Sequence, residues 1–168
     1  MSWTDIVNKG VDSWWIVKNS QPATGGSFCN AVPDVDDWNT LSDGRSTGFG
    51  FPLKRTLKVL PGIFDVELPL IDIEFTLRWE YGNQYQRQGM FLRTIWTEVN
   101  RCNVLGGFDV SIAFRCSAPW NDNPNGKPPW PAAMINIAMG ADIVTPKWHK
   151  QLDKWNFQLM YNGNLVII

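Results

Sequence analysis

One segment of this chain leaves little freedom of secondary structure. Ile71, Ile73, Phe75, Leu77, Trp79 and Tyr81 are apolar or aromatic, and Asp72, Glu74, Thr76, Arg78 and Glu80 between them are polar. A period of two gives a β-strand one dry face and one wet face, whereas a helix would scatter these side chains round its circumference. Phe108, Val110, Ile112, Phe114 and Cys116 repeat the pattern against Asp109, Ser111 and Arg115. Leu53, Leu57 and Val59 repeat it against Lys54, Thr56 and Lys58. The fold expected is therefore mainly β: an antiparallel β-sandwich or flattened barrel of about seven strands.

Phase carries further information. Phe64, Val66 and Leu68 place their apolar side on even numbers, and from Ile71 onward it falls on odd numbers. A one-residue slip turns every side chain to the other face, so a bulge or corner is expected at Pro69-Leu70, where proline is tolerated. Gly82–Gln88 reads as a polar loop, with Met90–Arg101 returning as a strand. A symmetric closure sets Phe75 opposite Ile95, Trp79 opposite Phe91 and Ile71 opposite Val99. Trp96 and Leu92 then point to the other face, which is not purely wet. Pairing the 108–116 strand with this one puts Ile112 near Val99 and Cys116 near Ile95. Cys102 and Cys116 are then too far apart to bridge.

The ends read differently. Residues 2–17 predict an amphipathic N-terminal helix, capped by Ser2, with Trp3, Ile6, Val7, Val11, Trp14 and Trp15 at three- and four-residue spacing. Residues 19–50 read as largely irregular, with a short strand near Phe28–Val32, and 53–168 as the β core of a single domain. Pro61-Gly62 marks a turn, and Ile135, Ile137 and Met139 a strand face. Thr145-Pro146, followed by Trp148, Leu152 and Trp155, predicts a short helix to Lys154 before a final hairpin at Asn162-Gly163.

Chemistry is sparse. The chain's single histidine, His149, sits among Lys147, Lys150 and Lys154. That disfavours a Ser–His–Asp triad at this residue and a multi-histidine metal site within one chain. Cys29, Cys102 and Cys116 have no metal spacing, and an odd count makes a poor disulfide framework. Asp34, Asp36 and Asp37 suggest a calcium loop, but Trp38 stands where a third ligand would be. Asn121, Asn123, Asn125 and Gly126 echo such a loop without its closing glutamate. Asp65 with Glu67 and Asp72 with Glu74 are paired carboxylates on strand faces, a geometry that glycoside hydrolysis uses. No phosphate loop, dinucleotide fingerprint or nucleophile signature occurs, so neither a cofactor nor a resident metal is expected.

The tryptophans carry the functional reading. The chain holds 10 Trp, and charged residues are only 18%, against the roughly 25% usual in soluble domains. The net charge of −1 gives no basic face for nucleic acid. The N-terminus has no long uninterrupted apolar run, so neither a signal peptide nor a membrane span is expected. The protein would stay in the cell that makes it, sit in a virion, leave by a non-classical route, or be a mature form. Residues 117–131 form a long Pro- and Asn-rich segment framed by Trp120 and Trp130. Such loops tend to be functional or disordered, and the two rings can alternatively pin the loop to the body. Rings that stack on a sugar, beside amides and carboxylates that take its hydroxyls, make Trp120, Asn121, Asp122, Asn123, Trp130 and Trp38 the candidate ligand-binding residues. The expected function is non-catalytic recognition of a glycan or lipid headgroup, as lectins and small membrane-acting toxins do. The alternatives are a homo-oligomeric structural subunit of a virion, tail or filament, and a glycoside-acting enzyme using the acidic pairs.

Overall fold

Antiparallel pairing of alternating strands builds two sheets in the computed structural model. It describes residues 2–23, 25–59, 66–123, 125–145 and 149–168, with side chains placed except at 57–59, 66–68 and 150–152. One sheet has five strands in the order β1 (Ile6–Val7), β4 (Cys29–Pro33), β7 (Gln88–Val104), β6 (Val66–Tyr85) and β5 (Arg45–Val59). The other runs β12 (Leu165–Ile167), β11 (His149–Met160), β10 (Ala133–Val144), β8 (Asp109–Cys116), β2 (Ser13–Lys18) and β3 (Gln21–Pro22), with β9 (Trp120–Asn121) also paired to β10. The sheets stay open and do not close into a barrel.

The inward residues of both sheets interleave into one core. Phe75 of β6 stacks on Phe51 of β5 at 5.3 Å, and Phe51 stacks on Phe157 of β11 at 5.4 Å across the sandwich. Trp155 meets Phe75 edge-on at 5.6 Å. Each such side chain contributes about 1.5–3 kcal/mol by leaving water. Trp14 stacks on Phe114 within its own sheet at 3.9 Å, and its indole N–H donates to Thr97 Oγ1 of the opposite sheet at 3.0 Å.

The phase change predicted at Pro69-Leu70 is a bulge. Ile71 faces Arg55 and Pro69 faces Thr56, so Leu70 is the extra residue. The predicted register of β6 with β7 is displaced. The strands run on through the expected loop to a turn at Gln86 and Arg87, whose φ values of 48° and 65° suit a tight hairpin. Phe75 therefore faces Val99, and Ile71 faces Val104. Ile95 faces Cys29 of β4 instead. Nor is β8 a neighbour of β7. It crosses to the other sheet between β2 and β10, so the two clean alternations are facing layers rather than adjacent ribbons.

Neither predicted helix is seen among the described residues. Residues 13–18 form a strand whose register shifts between Trp15 and Val17, leaving Ile16 and Val17 both buried. That bulge turns a period of two into spacings that imitate a helix. Gly10 lies at a bend against the Phe28 carbonyl, where an added Cβ would sit 2.2 Å from the oxygen, and the Val11 N–H donates to that same carbonyl, so the segment is held close to the chain leading into β4. At the other end, Trp155, Phe157 and Leu159 alternate inward along β11, whose partner β10 fixes them as strand, while 146–148 lie outside the described residues. Among the described residues the helical turn is Trp38–Thr40, and no helix is long and apolar enough to cross a membrane. The strand expected from Leu53 begins at Arg45. Gly48, Gly50 and Pro52 read as breakers, yet β5 is an edge strand, where proline is tolerated. Pro61-Gly62 falls outside the described residues.

Candidate functional site

The wet face of the five-stranded sheet is not uniformly wet. Gly48 of β5, Arg78 of β6 and Trp96 of β7 lie side by side across it. Trp96 is 37% exposed on a strand flanked on both sides, and Gly48 leaves that row without a side chain at its end. Ser46, Thr47, Glu80, Thr94 and Trp79 complete a shallow groove of about 290 Å³.

A bulge in β7 aims these groups. Arg78 faces Trp96 and Glu80 faces Arg93, so β7 carries one residue more than β6 between the two pairs. Thr94 absorbs the mismatch at a φ of 52°, a left-handed conformation that is strained for a β-branched residue and costs about 1–3 kcal/mol. The bulge sends Leu92 into the core beside Phe91, correcting the outward position expected for Leu92. It turns Arg93 and Thr94 both toward the groove side. Bulges of this kind re-aim side chains at functional surfaces.

Two ion pairs rim the groove. Arg78 Nε donates to Glu98 at 2.6 Å, and Arg93 Nε donates to Glu80 at 2.7 Å. Arg93 also donates to the Asn39 carbonyl at 3.0 Å. These contacts hold planar guanidinium and carboxylate groups in fixed directions beside the indole. Trp79, between Arg78 and Glu80 on β6, turns its side chain the other way, into the core; it is 3% exposed, and its indole N–H has no partner among the described residues. A buried donor without a partner costs about 1–3 kcal/mol and calls for an explanation in a ligand, water or strain.

The residues singled out in the sequence are placed as follows. Trp120 is half-buried in β9, opposite Met134. Asn121 Oδ1 accepts from the backbone N–H of Asn123 and of Ala132, both at 2.9 Å. Asn123 Nδ2 donates to the Pro129 carbonyl at 2.6 Å and to the Lys127 carbonyl. Asp122 is exposed. Trp130 meets Trp3 edge-on at 5.5 Å, and Trp3 lies over Tyr85 at 6.4 Å. Trp130 also borders a groove of about 500 Å³ with Gln84, Arg87 and Gln88. Trp38 is half-buried, 6.3 Å from Phe28, and is not part of that groove. Asn121 and Asn123 are thus engaged in holding the segment itself.

The acidic candidates are also engaged. Asp72 and Glu74 both accept from Arg101, at 2.9 and 3.3 Å, and the Asp72 carboxylate raises the Arg101 pKa above its ordinary value. The Asp65–Glu67 pair lies outside the described side chains. Lys9 binds Asp34 at 2.9 Å, and that hydrogen bond holds the carboxyl below its usual pKa. Among the described residues no cluster of His, Cys, Asp or Glu is arranged to hold a metal. His149 pairs with Asp142 across β10 and β11 at 3.6 Å, remote in register from the groove.

Sequence reasoning missed Thr94, Gly48 and the role of Trp96. The available signal was Trp96 itself, a large aromatic on the face expected to be polar. Comparison with known proteins gives no family model, curated protein or solved structure that matches this chain.

Proposed function

We propose that this protein is a non-catalytic glycan-recognition protein that stacks a sugar ring on Trp96. The observation that carries the reading is the exposed Trp96 indole in a groove lined by Ser46, Thr94, Arg78 and Glu80. A pyranose offers an apolar face of axial C–H bonds and a rim of hydroxyls. The first suits an indole plane, and the second suits Ser46, Thr94 and the two Arg–Glu pairs. The groove's size falls at the small end of the roughly 300–1,000 Å³ typical of ligand sites, which fits a short saccharide better than a large cofactor.

A lipid surface is the weaker partner. Membrane docking needs apolar residues clustered on one side, whereas Trp15, 43% exposed, lies on the outer face of the seven-stranded sheet and Trp96 on that of the other. An assembly subunit draws on a different observation: β5 is a 15-residue free edge, while β1, β3 and β12 at the other edges have 2, 2 and 3 residues. A long free edge invites strand pairing, although Pro52 and Lys54 are the devices that blunt one. Sedimentation at high concentration, with and without Lys54→Glu, separates that reading from a monomeric binder.

The test is a glycan array probed with the full chain and with Trp96→Ala, alongside sedimentation with phosphatidylcholine and phosphatidylserine vesicles. Retention on defined saccharides that Trp96→Ala abolishes is the expected result. An array with no retention, or one on which Trp96→Ala performs as well, overturns the proposal.

A further inference from the structure

The sandwich is open along one side. Phe49 faces Leu77 across β5 and β6, so its ring lies on the inner face beside a fully buried side chain, yet it is 49% exposed. Ile167 faces Phe157 across β12 and β11 and shares that residue's inward side, yet it is 83% exposed. Phe51 links the two positions, its ring 5.1 Å from that of Phe49 and 5.4 Å from that of Phe157. Core-facing side chains are thus left in water where β5 and β12 end their sheets. Among the described residues, nothing pairs with the outer edge of β5 from Ser46 to Pro52. Proline has no N–H to give to a ladder, so Pro52 sits where the backbone turns away from β6. Alternation then turns the N–H and C=O groups of Ser46, Gly48 and Gly50 outward as well.

We propose that this side is the seam of a homodimer, in which β5 pairs antiparallel with β5 of a second copy about a two-fold axis at Phe49. In that register Gly48 and Gly50 exchange both N–H···O bonds with Gly50 and Gly48 of the second copy. Each Ser46 N–H reaches the other Pro52 carbonyl, so the proline forfeits one bond at each end and leaves the ladder intact. Phe49 faces its own counterpart in a non-hydrogen-bonded pair, the closer cross-strand spacing, where two aromatic rings stabilise each other. Charge selects the same partner. Asp43 and Lys54, both exposed, stand at opposite ends of this edge, and Arg55 beside Lys54 is held by Asp153 at 3.0 Å. An antiparallel copy brings Asp43 to Lys54 at both ends, whereas a parallel one sets like charges together. Pro52 and Lys54, which blunt the edge toward other strands, are thus both accommodated by this one. From strand rise and sheet spacing, the stretch 43–55 gives a seam of about 40 Å by about 10 Å. That lies at the small end of specific interfaces, so the dimer is concentration-dependent. A two-fold interface closes the edge it pairs, so assembly stops at two. Trp96 lies two strands from the seam on the outer face, so the dimer carries two open grooves, and the seam holds whether or not they bind glycan.

Sedimentation velocity of the full chain over a range of concentrations tests the seam. The expected result is a 19.1 kDa monomer giving way to a single dimer, at concentrations on the order of micromolar. Because residue 49 meets itself, Phe49→Glu and Phe49→Arg should each weaken dimerisation about tenfold or more by placing like charges face to face, and an equimolar mixture of the two should recover it. Gly50→Pro deletes an outward N–H without touching the β6 ladder, so it should weaken dimerisation while the circular dichroism spectrum is unchanged. Amide exchange of the unsubstituted chain decides the register even where a variant fails to fold: Ser46, Gly48 and Gly50 should gain protection in concentrated samples. A monomer at every concentration, species that grow beyond a dimer, a mixture of the folded charged variants no better than either alone, or protection gained elsewhere with these three amides unchanged would each overturn the proposal.

Discussion

Two tryptophan-bearing regions of this molecule look alike in sequence and differ in what their side chains are free to do. In the 117–131 segment, Trp130 packs on Trp3, and Asn121 and Asn123 bond the segment's own backbone. On the β6–β7 face, Trp96 keeps an exposed ring beside Thr94 and the Arg78 and Glu80 side chains. A loop has no ladder to satisfy its backbone, so its amides and rings are recruited to do so. A sheet satisfies its own backbone, which leaves outward side chains available for another molecule. The more regular element therefore offers the more available chemistry.

That contrast can be broken by substitution. The largest effect on binding is expected from Trp96→Ala: a loss of about 2 kcal/mol in saccharide affinity, roughly 30-fold, measured by calorimetry on an array-selected ligand. Its stability in urea should stay within about 0.5 kcal/mol of wild type, because the ring is outside the core. Trp130→Ala should give the reverse, losing about 1.5–2 kcal/mol of stability through its packing on Trp3 while saccharide affinity is unchanged. If Trp130→Ala removed binding and spared stability, the assignments of the two regions would be exchanged.

Smaller effects sharpen the geometry. Trp79→Phe keeps a ring and deletes the orphan N–H. Saccharide affinity should be unchanged in calorimetry, since this ring lies in the core, with stability equal or slightly higher, because no buried donor is then left unpaired. Thr94→Asn keeps the left-handed backbone in a residue that tolerates it, so the urea midpoint should rise by the equivalent of about 0.5 kcal/mol. A fall would mean that Thr94 is not strained.

The sequence speaks clearly where local pattern and tertiary demand agree. Ile71 to Tyr81 alternate because one face is dry, and the slip at Leu70 is visible because the alternation changes phase across it. It misleads where a bulge corrupts the period. Ile16 and Val17 are both buried, as are Phe91 and Leu92, and such doublets imitate a helix or a change of face. Register was hidden because Gln86 and Arg87 occupy a left-handed turn that glycine or asparagine usually advertises. Which strands share a sheet is a long-range choice, so the crossing of β8 to the far sheet leaves no local trace. For the site, Trp96 stood out as an aromatic on a polar face.

The central claim is that the outer sheet face, not the loop, meets the sugar. Its most direct test is the indole N–H region of a ¹⁵N-labelled full chain, where each of the 10 tryptophans gives one assignable signal, titrated with a neutral oligosaccharide chosen on the array. The expected result is that the Trp96 signal moves with saccharide while Trp120 and Trp130 stay in place. Movement of Trp120 and Trp130, with Trp96 unmoved, would contradict it.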